Sequence, residues 1–206
     1  VINKFMHAHG VIRGIVDKND LMLAKQSCLE YLSNKEFVDN FYLDINNYSD
    51  SFSQLINKEI LKKVSKLIGH PKPVLESIEL HIQKSGCEPI PPHQDNFYHC
   101  VVGGKGLKVL IPFQRLTAHS GGLVFINTLS NTPVIDHVPS KTKNFSSYID
   151  QTVFNQLNFL RKSYDLNLGD ITYHFLNSIH FSRGNKSLED TLFVVYRFHN
   201  PISIID

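Results

Sequence analysis

Two side chains of complementary chemistry stand two apart in Pro91-Pro92-His93-Gln94-Asp95. On an extended strand such neighbours project to one face, so the His93 imidazole and the Asp95 carboxylate can converge on one cation. A third ligand is available far downstream at His180, within Ile179-His180-Phe181-Ser182-Arg183-Gly184-Asn185. Two imidazoles and one carboxylate on one side of an ion hold Fe(II) with a single negative charge and leave the opposite positions open for a co-substrate and dioxygen. The chain has eleven histidines, so a lone His-x-Asp pair is weak evidence. Context raises it: the pair ends a proline-braced segment between two candidate strands, and His180 follows a Gly-Asp turn and a strand, as in a barrel that gathers distant strands at one mouth. The other histidines have blander readings. His7, His9, His70 and His137 fall in loops or at ends, His81 and His174 alternate along strands, and His99 lies close to the pair.

The elements that must position these residues change in kind along the chain. Residues 9–16, rich in β-branched side chains and broken by glycine, suit a short strand. Asp17 to Asp20 supply capping groups for an amphipathic helix over 19–33, with Leu21, Ala24, Cys28, Leu29 and Leu32 at helical spacing. Residues 41–48 show no clear period and read as loop. Ser51 and Ser53 cap a second helix, whose apolar stripe runs from Leu55 to Ile68 and stops at Gly69 and Pro71. From Pro73 the pattern is that of strands: 74–84 alternates, 107–113 follows a glycine turn at 103–106, and 123–126 is a buried run. Residues 127–144 carry loop chemistry and can form a lid, and 148–164 shows helical intervals. Strands follow at 171–175, at or beside His180, and at 191–199. Roughly eight strands with no βαβ rhythm and two helices in front describe an antiparallel sandwich or barrel with helical support.

At 206 residues the chain fits one domain, and such a domain buries roughly 70% of its unfolded surface. Cys28, Cys87 and Cys100 are odd in number and unrelated in spacing, which points away from disulfides and zinc ribbons and toward a reducing, cytoplasmic setting. No apolar run reaches the ~18 residues of a membrane span, and the first residues lack the core of a signal peptide. A net charge of +2 with scattered cations argues against nucleic-acid binding. Lys58, Lys62, Lys63 and Lys66 are spaced as the solvated face of one helix.

His93-Gln94-Asp95 with Phe97-Tyr98, Leu116-Thr117 through Gly121-Gly122-Leu123, Leu168-Gly169-Asp170, and His180 with Ser182, Asn185 and Ser187 together resemble the phytanoyl-CoA dioxygenase family of Fe(II)/2-oxoglutarate oxygenases. The blocks match in order and spacing over about residues 74–199. The resemblance implies a mainly β domain with supporting helices, its core a double-stranded β-helix (jelly roll, cupin-like) over about 74–199 behind a helical part at about 17–70. It implies His93, Asp95 and His180 as iron ligands, 2-oxoglutarate as co-substrate, molecular oxygen as oxidant, and oxidation of a small-molecule C–H bond with release of succinate and CO2. Aspartate at 95 argues against the halogenase variants, in which that position is vacant for halide.

The match breaks at one place. In the family an arginine about eleven residues after the distal histidine grips the far carboxylate of 2-oxoglutarate; here that position is Thr191. Arg197 shares its parity but lies roughly 20 Å further along a strand, and Arg183 sits in the turn after His180. Lys108, fifteen residues after His93 in an apolar run, offers another solution, because an inward ammonium needs an anion. In the Jumonji-type branch of the superfamily a lysine on a comparable strand makes that salt bridge; the alternative is a Lys108 that points to solvent. Ser182 and Tyr98 are candidates for the same co-substrate pocket. His99, His119, Lys105 and Arg115 suit an anionic substrate if they face it, and are otherwise surface groups. Three classes therefore stay open: the oxygenase, a metal-binding jelly roll that does not use 2-oxoglutarate, and a cupin-like enzyme with the same three ligands. Substrate and oligomeric state are not legible.

Overall fold

The computed structural model describes residues 6–35, 40–102, 106–141, 145–157, 159–202 and 204–205. In chain order the elements are β1 His9–Ile12, α1 Lys18–Ser33, β2 Phe41–Tyr42, α2 Ser51–Gln54, α3 Lys58–Ile68, β3 Val74–Gln83, β4 Ile90–His93, α4 Asn96–His99, β5 Val101–Val102, β6 Gly106–Pro112, β7 Leu123–Ile126, β8 Val138–Pro139, β9 Ser147–Tyr148, α5 Gln151–Gln156, β10 Arg161–Ser163, β11 Ile171–Phe175, β12 His180–Ser182, β13 Thr191–His199 and β14 Ile204–Ile205. Two antiparallel sheets face each other, ordered β1-β11-β6-β13-β3-β2 and β10-β7-β12-β4. Starting at β3, the core strands pass between the sheets in the jelly-roll pattern, the fold that the resemblance implies and one form of the antiparallel sandwich or barrel that the strand pattern predicts.

Strand periodicity gives the large sheet two different faces. Ile78, Leu80 and Ile82 of β3, Leu107, Val109 and Ile111 of β6, and Val194, Tyr196 and Phe198 of β13 pack with Leu21, Ala24 and Cys28 of α1, Phe52 of α2, and Ile60, Val64 and Ile68 of α3. The opposite parity faces the small sheet. At one end that interior is apolar, with Leu110, Phe193 and Val195 against Leu116 and Leu166. At the other it is polar, because the register places His9, His174, Lys108, Arg197 and Ser77 side by side on β1, β11, β6, β13 and β3.

The helices in front differ in detail from the expected pair. Asp17 does cap α1, accepting from the amides of Asn19 and Asp20. The second helix is broken: α2 ends at Gln54, and α3 restarts with Asn57 as its cap, its side-chain oxygen accepting from Ile60 N at 3.0 Å. The Asn57 amide also donates to Ile15 O at 2.8 Å, and this tie to the N-terminal segment competes with helix continuation. Residues 41–48, expected as loop, hold β2 and a 3-10 turn at Ile45–Asn47, since β2 extends the sheet edge beside β3. The helix expected over 148–164 is confined to α5; the chain then turns into β10, whose pairing with β7 overrides the helical spacing. The glycine turn expected at 103–106 lies mostly outside the described residues; Gly106 begins β6.

The segment after His180 is pinned from several sides. The Asn185 amide donates to Gln83 O at 2.7 Å and Glu189 O at 2.8 Å. Gly184 has φ +74°, and a Cβ there would lie 2.2 Å from the Cys87 carbonyl oxygen. Gly184→Ala combines a left-handed backbone with a backbone clash, so it should lower stability by at least about 2 kcal/mol. Urea denaturation checks this; an unchanged midpoint would contradict it.

Candidate metal centre

β4 ends at His93, and Asp95 already has helical backbone angles (φ −56°, ψ −34°) at the start of α4. The pair therefore does not converge by strand parity, as the spacing predicts, but by a turn at Gln94. That turn is locked. Gln94 Nε2 donates to Pro133 O (2.9 Å) and Asn177 O (2.7 Å), its Oε1 accepts from Ile135 N (2.7 Å), and its backbone amide donates to His137 Nε2 (3.0 Å). The two-residue spacing survives as a site because this fully buried amide folds the carboxylate back toward the histidine.

His180 opens β12 and pairs with both His93 and Phe125 across the small sheet. His93, Asp95 and His180 are buried, and each offers a ligand atom within 4.8 Å of the other two. The hydrogens on both rings follow from their partners. His93 Nδ1 meets Pro91 O at 2.9 Å and His180 Nδ1 meets Ser178 O at 3.0 Å. A carbonyl only accepts, so each Nδ1 carries the proton and each Nε2 presents its lone pair, 3.9 and 3.7 Å from the Asp95 oxygens. This is the donor set that a first-row divalent ion requires.

Both oxygens of Asp95 have protein donors. Lys108 Nζ lies 3.0 Å from Oδ1 and His174 Nε2 lies 2.9 Å from Oδ2. Burial alone would push this carboxyl up; Lys108, His180 and the His174 hydrogen bond hold it well below the usual carboxylate range. Burial would likewise lower Lys108, and the charges of Asp95 and Glu79 raise it instead. For Glu79, burial opposes ionisation, but His81, Lys108 and Ser77 bring its carboxyl down to about 2. For the imidazoles burial outweighs the opposing pull of Asp95 and of the Pro91 and Ser178 carbonyls: it lowers His93 to about 4 and holds His180 well below its ordinary value. His9 and His99 are likewise lowered to about 4, chiefly by burial.

Lys108 thus faces the interior, although its partner here is a candidate ligand. Ser182 is buried, and its hydroxyl donates to Gly121 O at 3.1 Å. Tyr98 closes over the site: its ring lies 6.3 Å from that of His93, its hydroxyl donates to Ser147 O, and Phe145 stacks edge-on to His93 at 4.6 Å. Thr191 points inward and is buried, with Oγ1 3.5 Å from Asn185 Nδ2. Arg197 packs against His99 and lies 3.4 Å from Glu76. Arg115, His119 and Arg183 line a cleft of about 500 Å3 to which none of the three ligands contributes, and Arg115 pairs there with Asp165 at 3.3 Å. Lys105 lies outside the described residues. Sequence reasoning missed His174 and Gln94. For His174 a signal existed, since it shares inward parity with Thr172 after the Gly169-Asp170 turn; for Gln94 there was none.

No family model matches the chain, and no curated sequence matches it. Solved structures do. The epimerase SnoN in complex with Fe3+, alpha ketoglutarate and nogalamycin RO is similar at TM-score 0.77 and 18% identity, over 97% of this chain and 81% of that chain. EvdO2 from Micromonospora carbonacea var. aurantiaca, complexed with 2-oxoglutarate, is similar at 0.72 and 13%, over 97% and 89%. EctD from S. alaskensis, with 2-oxoglutarate and 5-hydroxyectoine, is similar at 0.77 and 13%, over 97% and 74%. These likenesses establish the fold. Among the described residues no helix is long and apolar enough to cross a membrane.

Below pH 6.5 an unfolded histidine takes up a proton that the buried rings of His9, His93 and His99 refuse until about pH 4, so stability falls with pH through that window. Glu79 adds a further loss from the ordinary carboxylate range down to about 2. The metal-free protein should lose at least about 5 °C of melting temperature between pH 7 and 5. A melting temperature flat over that interval in calorimetry would show the rings to be accessible.

Proposed function

We propose that this chain is an iron-dependent oxygenase that uses a 2-oxo acid, 2-oxoglutarate in the first instance, to hydroxylate or otherwise oxidise a C–H bond of a small molecule. The observation that carries the reading is the buried His93–Asp95–His180 cluster, in which both histidines hold their Nε2 lone pairs toward one carboxylate. The jelly roll supports it, since similar folds have been solved with Fe3+ and alpha ketoglutarate or with 2-oxoglutarate. The four sequence blocks extend the reading to the phytanoyl-CoA dioxygenase family, with residues 1–206 as one domain. The three free thiols accord with a reducing, cytoplasmic setting.

In this proposal His93, Asp95 and His180 hold Fe(II), which when bound supplies activation of dioxygen coupled to decarboxylation of the oxo acid. The chain's own residues bind, orient and exclude. Burial keeps both imidazoles neutral, and the Nδ1 hydrogen bonds to Pro91 and Ser178 fix their tautomer and aim them. Lys108, the ammonium at Asp95, becomes available to an incoming carboxylate once a metal ion shares the Asp95 charge, and Ser182 and Tyr98 border the same interior. Tyr98 and Phe145 shield His93 from solvent, so the chemistry runs in a dry site.

A second reading is favoured by a specific observation: around Thr191 the polar groups satisfy one another, Asn185 through Gln83, Glu189 and Thr191 itself, and Ser182 through Gly121. A metal-binding jelly roll that does not use 2-oxoglutarate, whether a binder or a cupin-like enzyme, needs no cation there. One titration separates the two. Anaerobic Fe(II) with 2-oxoglutarate should give the weak visible charge-transfer band of a chelated oxo acid, with succinate released under air. Iron binding with neither band nor succinate would select the second reading.

Lys108→Ala should weaken 2-oxoglutarate by at least about tenfold while changing metal affinity much less, because it removes an anion partner and frees Asp95 for the ion. Calorimetric titration of metal and then oxo acid measures both; equal effects on the two would remove Lys108 from the role.

A further inference from the structure

The polar row on the inner face of the large sheet does more than supply Lys108. His9 and His174 are directly opposite on β1 and β11, which puts their Cβ atoms about 4.5–5.5 Å apart on one face. Both rings pack on Phe125, with centroids 4.6 and 5.5 Å from it. His9 is 3% exposed and His174 2%, yet His9 Nε2 and His174 Nδ1 have no hydrogen-bond partner. The Ile126 carbonyl acts on His9 as a backbone hydrogen-bond acceptor, though in a geometry that leaves Nε2 without a well-formed bond. Each of these nitrogens calls for a partner, and on facing rings one group can serve both.

Their hydrogens can be placed. Asp95 is ionised and only accepts, so His174 Nε2, at 2.9 Å, carries a proton, and in the neutral ring His174 Nδ1 then presents a lone pair that wants a donor. The Tyr164 hydroxyl lies 3.0 Å from His9 Nδ1. When it donates there, His9 Nε2 carries the proton and wants an acceptor. One water molecule would satisfy both needs, accepting from His9 and donating to His174.

We propose that His174 is a positioning residue for Asp95, and that His9 and Tyr164 hold His174 through one internal water. The chain runs from the Tyr164 hydroxyl to His9, the water, His174 and Asp95 Oδ2, each member donating to the next. It fixes the plane of the carboxylate, so that its orientation toward His93 and His180 is set before an ion arrives. No member needs to change its protonation state. The role presupposes that His93, Asp95 and His180 bind metal, as proposed above.

Co(II) is the probe, since its visible d–d bands report the ligand field and need no turnover. Wild type, His93→Ala, His174→Phe, His174→Gln, His9→Phe and His9→Gln are titrated after melting curves show each to be folded. Wild type should bind Co(II) and His93→Ala should not; failure of wild type to bind sinks the metal reading itself. His174→Phe should weaken Co(II) by about 10–100-fold and shift the bands, while His174→Gln, whose amide N–H can donate to Asp95, should recover most of both. His9→Phe should shift the bands the same way to a smaller extent, with recovery in His9→Gln. Bands and affinity unchanged to within about twofold in His174→Phe would overturn the positioning role. A large effect at His174 with none at His9 would overturn the water-linked half. Should a phenylalanine variant fail to fold, the glutamine variant is compared with alanine at the same position, and the same outcomes decide.

Discussion

A single buried carboxylate governs the interior of this molecule. Asp95 is 5% exposed and ionised, which is tolerable only because Lys108 and His174 donate to its two oxygens. Lys108 feels a second buried carboxylate, Glu79, as well as Asp95, so its one positive charge does not neutralise both. A divalent ion at His93, Asp95 and His180 would add positive charge beside these two anions. The pair of Asp95 and Glu79 on either side of Lys108 absorbs that addition, since both carboxyls are held ionised.

The large sheet makes this arrangement by register rather than by loop geometry. Lys108 and His174 are cross-strand partners on β6 and β11, and Arg197 and His9 extend the row on either side. A slip of one residue in β6 would turn Lys108 toward α1 and α3 and bring Leu107 or Val109 under Asp95. The apolar outer face prevents that slip, because Leu107, Val109 and Ile111 are already committed to the helices. Hydrophobic burial on one side of the strand thereby fixes an ammonium on the other.

Much of this was legible in the chain. Alternation over 74–84 and the apolar runs at 107–113, 123–126 and 191–199 returned strands close to their true bounds, because half-buried strands impose period two on their residues. The His93, Asp95 and His180 cluster was legible as a set of types and intervals, but the backbone that joins the first two was not: it depends on Gln94 reaching Pro133, Ile135 and Asn177, contacts remote in sequence. The inward parity of His174 with Thr172 was readable, but nothing local to Thr172-Tyr173-His174-Phe175 shows that Asp95 lies beside it. The helical intervals of 148–164 misled, since β10 pairs with β7 where about two further helical turns would otherwise follow α5.

The two ends of the interior now bear on which acid, if any, enters it. Leu110, Phe193 and Val195 occupy one end with Thr191 beyond them, while Lys108, Arg197 and His99 gather at the other. An anionic group is stabilised where donors lack better partners, and around Thr191 every polar group discussed above is already bonded. At the opposite end Arg197 is shared between Glu76 and His99, and Lys108 is held by an aspartate whose charge a metal ion would draw upon. Under the proposed function the electrostatics would couple the two ligands: a metal ion at Asp95 would free the ammonium, so an acid that needs Lys108 would bind better after the ion than before it.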